Sequence, residues 1–251
     1  MGEGGLMLAF TKTCARDAER VAYQVEAVAA LGLDHIVLVE LGQIEAVEQA
    51  IDRVRGPKRA TGARLFERLR TVEGEMPEAM RIRSPYLRQQ YCKLVAPLLW
   101  GDMLQIDSDM CPFAIPAWPG TWHYVEAHKQ RREVVLAWAQ TYAMLGFPYS
   151  AASRVHAIDF MGPCKGWWVP RLLARHSYDA PQVLEALLRV EAERLPFSEY
   201  QALGYLASLG PAPDLFTFTE GEQPAWCYHF TGSEPLTETQ RSLLAAAGQP
   251  R

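Results

Sequence analysis

The sequence predicts an α/β fold, a Rossmann-like mixed sheet flanked by helices, as a single compact domain. Three observations carry this expectation. LMLAF (6–10) and HIVLVEL (35–41) are continuous apolar runs, the pattern of strands buried on both faces and not of a sheet with one wet face. Between them, CARDAERVAYQVEAVAALG repeats its apolar residues at helical spacing, which gives strand, helix, strand. A third short run, MLQI (103–106), follows another helical stretch and ends in Asp107-Ser108-Asp109.

The elements follow in order. The first helix stops at Gly32. GQIEAVEQAIDRVR (42–55) reads as helical, and 56–83, rich in Gly, Pro and charge, reads as a partly mobile insertion. Ser84-Pro85 is a cap residue followed by proline at the first helical position, introducing YLRQQYCKLVAPLLW (86–100). That helix delivers the chain to MLQI, so the paired aspartates fall at the C-terminal end of a strand, the edge where open α/β sheets bind ligands.

Beyond it, IPAWPGTW is a loop, and HYVEAHKQRREVVLAWAQTYAMLG (123–146) reads as one long helix or a helix pair. HAIDFMG is strand-like. GWWVPRLLARH, APQVLEALLRVEAERL and SEYQALGYLASLG are helical, and 213–236 is rich in strand and turn. TETQRSLLAAAGQPR is a small helix or tail. The expected division is a first half at 1–110, a second half at 111–235, and a terminal segment at 236–251.

Composition bounds the function. The chain has 251 residues, 49% hydrophobic and 22% charged, with seven Trp and ten Tyr, an ordinary globular make-up with bulk for a core and a cleft. No apolar run approaches the ~20 residues that span a bilayer. The first ten residues lack a basic region and a cleavage-like site, so a cytoplasmic protein is expected. Five cysteines, widely spaced and without a CxxC pair, point to free thiols and away from a disulfide framework or a cysteine zinc site. The net charge of −4 is uneven: residues 53–93 hold eleven Lys/Arg against four Glu, an excess of +7 that leaves −11 elsewhere. That stretch suits either an anionic partner or a solvated helical surface.

Two carboxylates one residue apart repel unless a cation lies between them. Hard oxygen ligands of this kind suit Mg²⁺ or Mn²⁺ better than Zn²⁺, and Mg²⁺ completes its shell with water and substrate phosphates. A plain Asx-type turn leaves the same tripeptide.

The block SPYLRQQYCKLVAPLLWGDMLQIDSDM, a helix bearing Lys93, a short strand and Asp-x-Asp, resembles the donor segment of GT-A glycosyltransferases. It is similar in particular to the glycogenin-like retaining branch and to bacterial and phage glycosyltransferases of unassigned acceptor. Downstream, YHFTGSEPL (228–236) resembles that branch's His-Phe-x-Gly-x-x-Lys-Pro segment, with Pro235 one residue early and Glu234 where lysine stands. The resemblance implies Mn²⁺ or Mg²⁺ on Asp107, Asp109 and His229. It implies a nucleotide-diphosphate sugar, UDP favoured, whose sugar or phosphate meets Lys93 and whose phosphate meets the backbone at Gly232, with Lys165 in place of the missing lysine. Thr11, Thr13 and Glu40 occupy the positions that contact base and ribose.

Ser198 and Gln201 fit a capping box at a helix start. The same SEY segment resembles the acceptor side of the bacterial enzymes, which makes Glu199, with Asp159, the candidate catalytic carboxylate: a base if the reaction inverts, and for Glu199 an electrostatic or acceptor-binding group if it retains. The acceptor implied is a hydroxyl. Basic residues in 53–93, Lys129-Gln-Arg-Arg and Trp118, Trp122, Trp167 and Trp168 would suit hydroxymethylated DNA with a flipped base. A saccharide or lipid-linked acceptor is the alternative. A Mg²⁺-dependent nucleotidyltransferase or phosphohydrolase and a non-catalytic binding module also accommodate the aspartate pair.

Overall fold

The computed structural model describes residues 8–55, 69–115, 121–126, 132–144, 155–157, 163–164, 179–199, 217–220, 227–229 and 235–247. In chain order the elements are β1 (Leu8–Thr13), α1 (Ala18–Ala30), β2 (Asp34–Val39), α2 (Ile44–Arg55), β3 (Leu69–Thr71), α3 (Val72–Glu75), α4 (Pro85–Trp100), β4 (Met103–Gln105) and β5 (Met110–Pro112). Then come β6 (Thr121–Glu126), α5 (Arg132–Met144), β7 (Val155–Ala157), β8 (Pro163–Cys164), α6 (Ala180–Glu193), β9 (Thr217–Glu220), β10 (Cys227–His229) and α7 (Glu238–Ala247). Two compact units divide them: Met1–Pro77, Met103–Pro116 and Ala225–Arg251 form the first, Glu78–Asp102 and Ala117–Pro224 the second.

In the first unit β1 pairs in parallel with β2, Leu8 opposite Asp34 through Thr13 opposite Val39. It also pairs in parallel with β4, Leu8 opposite Met103, and β2 pairs with β3. Parallel pairing sends the C-terminal ends of β1, β2 and β4 to one edge. Both β1 and β2 are buried along nearly their whole length, as their unbroken apolar runs predict. Val21, Ala22 and Val25 of α1 pack with Val37 and Val39 of β2 and with Val47, Ala50 and Ile51 of α2 in one core. Each fully buried valine or isoleucine contributes about 1.5–3 kcal/mol relative to exposure.

Helix α1 ends as the sequence predicts. Gly32 takes φ +73°, its N–H donates to Ala29 O at 3.0 Å, and the Leu33 N–H donates to Val28 O at 3.3 Å. This paired closure needs a left-handed residue, which glycine supplies without a Cβ penalty.

The last segment of the unit returns to α1. β10 pairs antiparallel with β5, and the Phe113 and Tyr228 rings meet at 4.9 Å. Leu236 and Leu244 pack with Ala27 and Cys111. Helix α7 starts in a reciprocal cap, the Gln240 N–H donating to Thr237 Oγ1 and the Thr237 N–H to Gln240 Oε1, so the ending forms a helix over 238–247.

In the second unit α4 begins at the expected place, Ser84 Oγ accepting from the Leu87 N–H with Pro85 at the first position. Helix α6 opens with a capping box of Asp179 and Gln182, and Glu191 near its end accepts the backbone N–H groups of Arg83 and Ser84. One expectation is corrected. Residues 121–126 form strand β6, paired antiparallel with β7 and parallel with β9, and a helix spans Arg132–Met144. The run Thr-Trp-His-Tyr-Val is aromatic and β-branched, which favours a pleated surface once partners flank both sides. Among the described residues no helix is long and apolar enough to cross a membrane, and Cys14, Cys92 and Cys111 stand outside any disulfide. Residues 56–68 of the expected insertion lie outside the described residues.

Candidate active site

The turn that follows β4 carries the aspartate pair. Ile106 still donates to Phe10 O at 2.9 Å, continuing the ladder with β1, and the Met110 N–H closes the turn on Asp107 O at 3.0 Å. Asp107 and Asp109 are half-buried, with Ser108 buried between them.

Two polar side chains that the sequence reading passed over hold this turn. Gln24, wholly buried on α1, donates from Nε2 to Asp107 O and to Met110 O, both at 2.6 Å. Its Oε1 accepts from Thr11 Oγ1 at 2.7 Å, and the same hydroxyl lies 2.9 Å from His35 Nε2. A signal existed: Gln24 stands three residues after Val21 and four before Val28, on the apolar face of the helix, where an amide is kept only if its hydrogen bonds are made. Replacing Gln24 with Leu is expected to destabilise the protein by about 2–4 kcal/mol, because the Thr11 hydroxyl and two turn carbonyls lose their partner. Urea denaturation measures this, and an unchanged midpoint would show that the turn stands without the bracket.

The second support is Asp17, in the 3₁₀ turn Ala15–Asp17 after β1 and 5% exposed. Its Oδ2 accepts from Ser108 Oγ at 3.0 Å, which ties the loop after β1 to the middle residue of the aspartate turn. The guanidinium of Arg16 lies against both Asp17 oxygens, Nε to Oδ1 at 3.2 Å and Nη2 to Oδ2 at 3.3 Å, and Arg20 Nη1 lies 3.6 Å from Oδ1. The Asp17 hydrogen bond and charge, with a smaller contribution from Asp109, hold the Arg16 guanidinium above its ordinary pKa.

The candidates nearest the N-terminus make their side-chain contacts inside the fold. Thr11 is wholly buried and its hydroxyl belongs to the Gln24 bracket. Glu40 pairs with Lys12 at 2.7 Å, the two side chains 8% and 4% exposed, and Lys12 also donates to Thr13 O at 2.9 Å. The buried Thr13 directs its hydroxyl to Cys14 O at 3.4 Å. Gln43, after β2, accepts the Ala15 N–H at 2.6 Å, so the two strand-end loops are laced together.

In the second unit two candidates that the sequence placed far apart meet. Lys93 Nζ lies 2.7 Å from Glu199 Oε1, with side chains 3% and 1% exposed. Gln90, one helical turn before Lys93, accepts the Glu199 N–H at 2.8 Å, and Tyr86 donates to Phe197 O at 2.7 Å. One face of α4 thus anchors the segment that carries Glu199.

His229 lies in β10 opposite Met110 in the antiparallel register, one position from Asp109. Its side chain, and Asp159, Lys165, Gly232, Trp118, Trp167, Trp168 and Lys129 to Arg131, lie outside the described residues, as does the side chain of Trp122. Among the described residues no three His, Cys, Asp or Glu gather for a metal. Hard carboxylate oxygens such as those of Asp107 and Asp109 suit Mn²⁺ or Mg²⁺ better than Zn²⁺.

No protein-family model matches the chain, and no curated protein is found as a relative. A solved structure, that of the galactosyltransferase LgtC in complex with donor and acceptor sugar analogs, matches with TM-score 0.54 at 10% identity, over 96% of this chain and 95% of that one. The bifunctional glycosyltransferase WbbM in its apo form matches with TM-score 0.46 at 10% identity, over 87% of this chain and 39% of that one. An active-site mutant of LgtC matches with TM-score 0.45 at 11% identity. The first of these likenesses shows the fold: the chain has the GT-A fold.

Proposed function

We propose that this chain is a glycosyltransferase that moves a sugar from a nucleotide-diphosphate donor, UDP favoured, to an acceptor hydroxyl, with Mn²⁺ or Mg²⁺ held by Asp107, Asp109 and His229. The observation that carries this reading is the meeting of β5 and β10, which sets position 229 beside the aspartate turn in a chain with the fold of LgtC. A bound divalent ion would supply electrostatic stabilisation of the diphosphate as it departs. Around it the chain's own residues do the positioning. Gln24 and Asp17 fix the turn from two sides, so the carboxylates need little reorganisation to meet a cation. Gly232 and Lys165 remain proposed phosphate contacts, and Thr13 and Glu40 would shape the base and ribose side through the Lys12–Glu40 pair. Glu199, clamped on Lys93, and Asp159 are the proposed acceptor-side carboxylates. The setting proposed is cytoplasmic.

For the acceptor we favour a saccharide or lipid-linked hydroxyl over DNA. LgtC was solved with an acceptor sugar analog. Much of the basic stretch is engaged within the fold: Arg55 with Glu26, Arg70 with Glu75, Arg81 with Glu185, Arg88 with the Ile82 carbonyl and Lys93 with Glu199. Phosphate binding would have to compete with these partners.

A panel of UDP-, GDP-, ADP- and TDP-sugars with and without Mn²⁺, read by thermal shift and by slow donor hydrolysis, tests the class. One donor is expected to raise the melting temperature and to be hydrolysed only with metal present. Release of a nucleotidyl or phosphoryl group with the sugar still attached, identified by mass spectrometry, would instead assign a nucleotidyltransferase or phosphohydrolase.

A further inference from the structure

The segment YHFTGSEPL carries glutamate at position 234, where the pattern that it resembles has a lysine. Position 234 cannot supply that positive charge to a diphosphate. A different cation stands at the aspartate turn. Asp17 is buried and bonded to Ser108 Oγ, so it is rigidly tied to the residue between Asp107 and Asp109. Two arginines lie against this one carboxylate, at the edge where the loops after β1 and β4 meet. The two arginines differ in access: Arg20 is 10% exposed in its side chain and Arg16 is 68% exposed. Asp17 takes the Nε–H of Arg16 and one Nη2 hydrogen. A guanidinium has five N–H groups in a fixed plane, and among the described residues no other acceptor takes the remaining three.

An isolated exposed ion pair contributes little stability, so stability alone gives little reason for this arrangement. What it achieves is orientation. The planar fork is held along one edge by a buried carboxylate and offers the other edge to solvent beside the aspartate turn. Fork-shaped donors of this kind match the paired oxygens of phosphate groups. We infer that Arg16 binds the diphosphate of the nucleotide donor, a cation in addition to the Lys165 proposed above. The inference rests on the glycosyltransferase reading above and adds a residue to it. Asp17 acts through Arg16 as a positioning residue, and it also couples diphosphate binding to the turn through Ser108.

The test is calorimetry on the full chain in MnCl₂, titrating UDP, GDP, ADP and TDP and the matching nucleosides into wild type, Arg16→Gln and Arg16→Lys. Arg16→Gln is expected to weaken the preferred diphosphate at least tenfold while leaving its nucleoside unchanged, and Arg16→Lys to recover part of the loss. Undiminished diphosphate affinity in Arg16→Gln would overturn the inference and leave the glycosyltransferase reading standing. Equal weakening of nucleoside and diphosphate, with a lowered melting temperature, would mark Arg16 as structural and also overturn it. Binding of none of the four diphosphates by wild type would overturn the glycosyltransferase reading and the inference with it.

Discussion

Asp107→Asn and Asp109→Asn are each expected to lower sugar transfer on the order of 10³-fold, a loss typical of removing a group that stabilises developing charge. The fold should persist. The turn is closed by backbone and by Gln24 and Ser108, none of which requires a carboxylate at 107 or 109, and asparagine is at home in turns. Neutralising one of two neighbouring like charges relieves repulsion, offset at 109 by loss of the charge acting on Arg16, so the melting temperature without metal should change little. The Mn²⁺-dependent rise expected of wild type should vanish, since binding stabilises only the state that binds. Thermal shift with and without Mn²⁺, beside a transfer assay, separates these effects. Full turnover in both variants would remove the metal from the mechanism and return the turn to a structural part of the fold.

Lys93→Met is expected to give the largest loss of stability, about 3–5 kcal/mol, because the Glu199 carboxylate would lose its buried ion-pair partner. Glu199→Gln leaves the lysine in the same position. Exchanging both, Lys93→Met with Glu199→Leu, should restore most of the stability, since apolar packing commonly replaces a buried ion pair without net cost. The strong non-additivity would appear as a coupling energy in a double-mutant cycle followed by urea denaturation. If the pair serves chemistry, the double variant folds well yet transfers no sugar. Recovery of both stability and transfer would make the pair a structural tie between α4 and the Glu199 segment.

Much of the first unit, and the start of α4 in the second, was legible because the signals are local. Apolar runs with a helical repeat between them, Gly32 as a stop and Ser84-Pro85 as a start are written within a few residues of where they act. The aspartate turn was legible for the same reason. Strand β6 was misread because its Trp-His-Tyr-Val run becomes a strand through pairing with β7 and β9, which are distant in the chain. Gln24 and Asp17 were missed because their roles come from partners that only the fold brings near, in Gln24's case carbonyls after β4. The hydroxyl of Thr11 lies against Gln24 and His35, partners that only the pairing of β1 with β2 and the packing of α1 bring near. Lys93 and Glu199 were both singled out, and their meeting could not be foreseen from separations of this length.

The first unit is assembled from three stretches of chain, and the last supplies β10 and α7. Domains begin to fold while the ribosome is still adding residues. A nascent chain that has passed residue 116 already holds the aspartate turn, yet the strand that pairs with β5 has not been made. Donor capture by the route proposed above therefore waits until the ribosome has passed β10, more than a hundred residues after the aspartate turn.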